Sequence, residues 1–227
     1  FGSEITRTRV RLKEAKISIT SGEGALRGLS IGNTSGFKTE YALRLGEISV
    51  SLDTATITQN PVVIKKIVIA SPEVIYELGE GGSNIDAIQR NVNAYMAKFK
   101  SAPAEQKKAG AGDGTKPIIE NLYISGGKVN ASAGFLQGKT LGAGLPDTHI
   151  KNIGKNQGGA SPGEIAEKVT SSIRRQTTKA IVPLGLDKLA GAAKAGIKDA
   201  AEMIEKGAKG ALGGLEKGAK SAGDALK

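Results

Sequence analysis

Hydrophobic and polar residues alternate over much of the first 80 positions. Val10, Leu12, Ile17 and Ile19 mark residues 8–20 as a half-buried strand, with a turn at Gly22 to Gly24. Leu29 and Ile31 give a second short strand over 25–31, and 33–36 has loop chemistry. The 41–52 segment is a long alternating strand with Leu43 and Leu45 in one phase and Ile48, Val50 and Leu52 in the other. The phase changes at Gly46–Glu47, which predicts a β-bulge. Residues 62–70, containing Val63, Ile67 and Ile69, form a β-branched strand, Ser71–Pro72 interrupts it, and Val74 to Leu78 resumes it.

The period then changes. Ile85, Ile88, Val92, Tyr95 or Met96, and Phe99 recur at helical spacing, so a helix is predicted over 84–100, opened by Ser83 with Asp86 as its capping partner. Residues 101–116 have linker composition. Residues 118–124 and 128–133 are expected to form a hairpin around Ser125-Gly126-Gly127. Ser161-Pro162-Gly163-Glu164 is a helix start with a capping residue, Pro at the first helical position and Glu at the third. That helix is expected over 162–182, through Ile165, Val169 and Ile173.

The last segment, 184–227, repeats every 11 residues. Leu186, Ile197, Ala208 and Ala219 form one series. Leu189, Ala200, Ala211 and Ala222 form a second, and Ala193, Ile204, Leu215 and Leu226 a third. An 11-residue period gives about 3.67 residues per turn, so the apolar stripe runs nearly straight along a helix. Leu186, Leu189, Ile197, Ile204, Leu215 and Leu226 would face a membrane or a partner, with Lys on the other side. The expected organisation is therefore a β-rich half (1–100), a linker (101–116), a second hairpin-and-helix region (117–183) and the repetitive tail. The fold class is α+β, with a curved, mainly antiparallel sheet, two packing helices and a C-terminal amphipathic helical tail.

Composition narrows the function. The net charge is +10, spread along the chain and not gathered in one polybasic block. A diffuse excess favours anionic surfaces such as phospholipid headgroups. Nucleic acid is not expected, because there is no Trp and only four Phe and four Tyr to stack on bases. Without Cys there is no disulfide, thiol catalysis or thiolate metal site. His149 is the only histidine and reads as a hydrogen-bonded structural residue. Gly138-Lys139-Thr140 resembles the end of a phosphate loop, but position 133, where that loop needs Gly, is Ala. Asp86 and Glu164 look like caps, and Glu73 and Glu77 like solvent-facing strand residues. No acid–base pair stands out. Neither catalysis, nor a cofactor, nor a metal site is expected.

Residues 24–92 resemble the N-terminal region of AsmA-like bacterial envelope proteins. The motifs are Gly28-Leu29-Ser30-Ile31-Gly32-Asn33-Thr34-Ser35-Gly36-Phe37, Leu45-Gly46-Glu47-Ile48-Ser49-Val50-Ser51-Leu52-Asp53, Val63-Ile64-Lys65-Lys66-Ile67-Val68-Ile69-Ala70-Ser71-Pro72 and Ser83-Asn84-Ile85. Thr34 stands where the family more often has Pro. Leu145 to Gly154 is similar to short, single-domain members, so the resemblance extends over about residues 5–180 and leaves out the tail. It implies a membrane helix preceding Phe1, a domain at the periplasmic face of the inner membrane, and an apolar groove for phospholipid chains. Leu43, Leu45, Ile48, Val50, Leu52, Val63, Ile67 and Ile69 are then the lipid- or core-facing sheet residues. Two alternatives stay open. The two helices could close the groove, or the chain could be a structural subunit, a homo-oligomer included, whose tail orders on partner envelope proteins.

Overall fold

Pairs of short strands, each pair separated by one or two residues, account for most of the chain. The structure is a computed structural model describing residues 2–79, 81–101, 116–133, 136 and 140–186. Its elements are α1 (Gly2–Thr6), β1 (Val10–Arg11), β2 (Glu14–Ile17), β3 (Glu23–Arg27), β4 (Ser30–Gly32), β5 (Tyr41–Arg44), β6 (Glu47–Leu52), β7 (Val63–Ala70), β8 (Glu73–Gly79) and β9 (Gly82–Ser83). They continue with α2 (Asn84–Ser101), β10 (Ile118–Ser125), β11 (Gly127–Ala133), β12 (Leu141–Leu145), β13 (Thr148–Ile153) and α3 (Pro162–Ile181). The class is α+β, with two mixed, open sheets and helices packed on them.

An upper sheet has the order β1-β4-β5-β8-β11-β12, with β9 on β8, and a lower sheet has the order β2-β3-β6-β7-β10-β13. The two orders correspond member for member, since each upper strand is the chain neighbour of its lower counterpart. The molecule is therefore built from six long strands, each broken along one common line. All pairings are antiparallel except β7 with β10 and β8 with β11, which are parallel and joined through α2.

The break has a simple physical form. Successive strand residues point to opposite faces, so a face normally repeats every two residues. At the break the step between inward-facing positions is three: Leu26 to Leu29, Leu45 to Ile48, Ile69 to Pro72, Ile124 to Gly127, Leu145 to Thr148. One extra residue per strand is a β-bulge, which bends the strand and keeps its apolar side on the same face. At three of the breaks one residue takes a left-handed backbone: Gly28 (φ 67°), Ser71 (φ 49°) and Gly126 (φ 64°). At Gly46 a Cβ would lie 2.7 Å from the Ala70 carbonyl oxygen, so no side chain fits there.

Two expectations change here. Residues 118–133 are not a hairpin: β10 pairs with β7 and β13, and β11 with β8 and β12. A two-residue reversal of the favoured type needs positive φ at both central positions. Here Gly126 alone supplies it between the strands, so the chain bends without turning back. The strand expected over 8–20 is likewise two short edge strands, β1 and β2, and Leu12, Ile17 and Ile19 are 45%, 56% and 67% exposed, not half-buried.

Both helices pack on the upper half. The Ser83 hydroxyl accepts from the Asp86 N–H at 3.1 Å, the cap the sequence predicts. Asn84, fully buried, fastens the start of α2 to β8, accepting from the Glu77 N–H at 2.9 Å and donating to the Ile75 carbonyl at 2.7 Å. Ser161 and Glu164 form a complete capping box on α3. The helices run antiparallel. Arg174 pairs with Asp86 at one end, and at the other a Cβ on Gly163 would lie 2.6 Å from Met96 Sδ. Phe99 and residues 102–115 of the expected linker lie outside the side chains and segments described.

Candidate functional site

Cross-strand registers assemble three rows, apolar except for Thr148, on the inner face of the lower sheet. The row nearest the break is Thr148–Ile124–Ile69–Ile48–Leu26–Ala15. The next is Ile150–Leu122–Ile67–Val50–Gly24–Ile17. A second bulge, where Ser51 pairs with Lys66 but Leu52 with Ile64, starts the third row, Ile153–Ile119–Ile64–Leu52. No titratable side chain stands in these rows. Lys65, Lys66, Glu120 and Lys151 are all exposed.

The sheet residues expected to face lipid or core divide accordingly. Leu43 lies on the inner face of the upper half and Leu45 at the break, and both are buried. Ile48, Val50, Leu52, Ile67 and Ile69 lie on the inner face of the lower half. Val63 is the correction: with Ile64 in the inner row, its neighbour points to the opposite face. Ile64, Leu122, Ile150, Ile119 and Ile153 are inner-face residues that the sequence reasoning left out. Their signal was present as a three-residue step, Ile119 to Leu122 and Ile150 to Ile153, which is the mark of a bulge.

Cover is uneven across these rows. Ile124, Ile69 and Ile48 are buried near the break, Ile67 and Val50 are half-buried, and Ile17 is 56% exposed. At the β13 end, Ile150 and Ile153 line an open depression of 710 Å³ together with Met96 and Ala97 of α2, Glu164, Glu167 and Lys168 of α3, and Lys151 and Lys155. The inner face thus runs from a recess under the helices to an uncovered edge at β2. Six strands at about 4.8 Å spacing span about 24 Å. One bilayer leaflet offers about 15 Å of hydrocarbon, half of a core of about 30 Å. The longer rows therefore exceed the hydrocarbon depth of one leaflet.

The polar candidates play structural parts. His149 is on the outer face, stacked on Tyr123 with ring centroids 4.1 Å apart, and its Nε2 is 2.9 Å from Asn121 Oδ1. Glu73 pairs with Lys128 and accepts from Asn130 Nδ2. Glu77 departs from the solvent-facing expectation, for it is 9% exposed. Burial works against its charge, but hydrogen bonds from the Lys38 and Thr39 N–H groups and the Thr39 hydroxyl outweigh that and hold its carboxyl below the ordinary glutamate range. Burial also opposes charge on Asp86, and Ser83 and Arg174 bring it below the ordinary aspartate range.

In the tail, Leu186 is buried and lines a cavity of 250 Å³ with Tyr76, Ile85, Thr177 and Ile181. Leu189, Ile197, Ile204, Leu215 and Leu226 lie outside the described residues. Among the described residues no helix is long and apolar enough to cross a membrane. No family model matches the chain, and no curated protein is similar to it.

Proposed function

We propose that the chain is a non-catalytic, AsmA-like module of the bacterial envelope that holds a phospholipid acyl chain on the inner face of its lower sheet. One observation carries this reading: the inner face holds three rows without a titratable group, and two of them run from the β13 end, beside the helices, to an uncovered edge at β2. Burying acyl carbon there contributes about 0.8 kcal/mol per CH₂, and the rows hold no acid or base to act on an ester. A membrane anchor preceding Phe1 would place the module at the periplasmic face of the inner membrane.

Native mass spectrometry of the protein, extracted gently from its own membrane, tests the proposal. The expected spectrum shows a bound phospholipid mass. Ile67→Glu, which puts a charge in the middle of the second row, removes that mass while the protein stays folded. A lipid-free spectrum with the inner face intact contradicts the proposal.

A further inference from the structure

Four large apolar side chains are exposed among the described residues, and three of them, Leu12, Ile17 and Ile19, fall within eight positions of one another. They follow the outer edge: Leu12 lies at the break, Ile17 at the end of β2, and Ile19 in the turn before β3. The same edge is basic. Arg7, Arg9, Arg11, Lys13 and Lys16 are all exposed. The only acid among them, Glu14, is held by Lys16 at 2.7 Å and by Arg27 at 3.5 Å. Among the described residues no ion pair holds Arg7, Arg9, Arg11 or Lys13.

We infer that this β1–β2 edge docks on an anionic phospholipid bilayer. Large apolar side chains beside unpaired cations are the combination that seats a surface on such a membrane. The apolar groups enter the headgroup boundary and the cations meet the lipid phosphates. A second copy of the chain is disfavoured at the same place. Strand addition along residues 9–13 would set Arg9, Arg11 and Lys13 of one copy against the same cations of another, the device by which edge strands resist pairing. Docked this way, Ile17, the open end of the second inner row, faces the bilayer. The contact is independent of whether the rows hold an acyl chain.

Vesicle sedimentation of the full chain tests the inference, with vesicles containing phosphatidylglycerol or made of phosphatidylcholine alone. Binding is expected to the anionic vesicles, and to weaken as salt rises from about 0.1 M to about 1 M, where the Debye length falls from about 10 Å to about 3 Å. Removing a cation is expected to cost about fivefold, so R9Q/R11Q/K13Q weakens binding about a hundredfold. L12S/I19S weakens it about tenfold. All five positions are exposed, so thermal melting stays as in the parent chain. Binding equal to the parent's in either variant overturns the inference, because attachment then lies elsewhere, the 184–227 tail being the first alternative. Loss of self-association in the variants with vesicle binding unchanged overturns it too, in favour of a second copy. Uptake of a fluorescent fatty acid in vesicle-free solution reads the inner face separately and is expected to be unaltered in both variants.

Discussion

The upper and lower halves of the sheet are made of the same six strands, yet they meet different surroundings. In the upper half the inner face carries Leu43, Val74, Val129 and Ala131, all buried under α2 and α3. In the lower half the inner face carries residues of the same kind, but burial fades across the strands toward β2: Leu122 and Ile119 on β10 are fully buried, Ile67 and Val50 are half-buried, and Ile17 is exposed. The outer faces are polar in both halves: Arg44, Glu73 and Lys128 stand side by side above the break, and Lys66 and His149 below it. The difference lies in cover and not in sequence character. A helix closes an apolar sheet face into a core, and where neither helix reaches, the same face stays partly exposed.

That contrast can be broken most severely in the upper half. Val129→Asp buries an unpaired charge in a fully enclosed site and is expected to abolish folding, seen as loss of cooperative melting by circular dichroism. Leu43→Ala removes buried methyl groups and is expected to cost about 3 kcal/mol in urea unfolding. Ile67→Ala, on the half-buried lower face, is expected to cost about 1 kcal/mol by the same measurement. Equal losses at the two sites would mean the lower face is as enclosed as the upper.

Glu77 gives an effect of intermediate size. Its carboxylate is favoured in the folded state, so the stability it contributes is present above the ordinary glutamate value of about 4.3. That stability disappears as pH falls through the lower folded-state value. The melting temperature of the parent chain should therefore drop as pH is lowered from about 5 toward 3. Glu77→Gln is expected to lose about 1–2 kcal/mol at neutral pH, since an amide cannot accept from all three donors. It should also flatten that pH dependence. The smallest effect is at the edge, where Ile17→Ser should change stability by no more than about 0.5 kcal/mol.

Much of this architecture was legible in the sequence, and the reason differs by element. Helix starts were readable because Ser83–Asp86 and Ser161–Glu164 are local chemistry. The bulge at Gly46 was readable because the apolar phase changes within one strand. The common break was not, because it emerges only when five such shifts align across strands far apart in the chain. Gly126 was misjudged for a related reason: a glycine between two apolar runs fits a bend as well as a reversal, and only the partners β7 and β13 decide. Val63 and Ile64 exchanged places because the bulge at Lys65–Lys66 occurs in a strand whose run of β-branched residues hides its phase. Glu77 lies in an alternating pattern that marks a solvent face, and the loop covering it, 38–39, is 38 residues earlier in the chain.

The measurement that bears most directly on the two halves is photo-crosslinking of the full chain with a diazirine-bearing phospholipid, followed by mapping of the labelled peptides. If the lower inner face holds the acyl chain, label should concentrate on β2, β6 and β7, around Ile17, Val50 and Ile67, and vanish from these peptides in Ile67→Glu. Label confined to the upper strands or to the 184–227 tail, or label that Ile67→Glu leaves unchanged, would contradict the account.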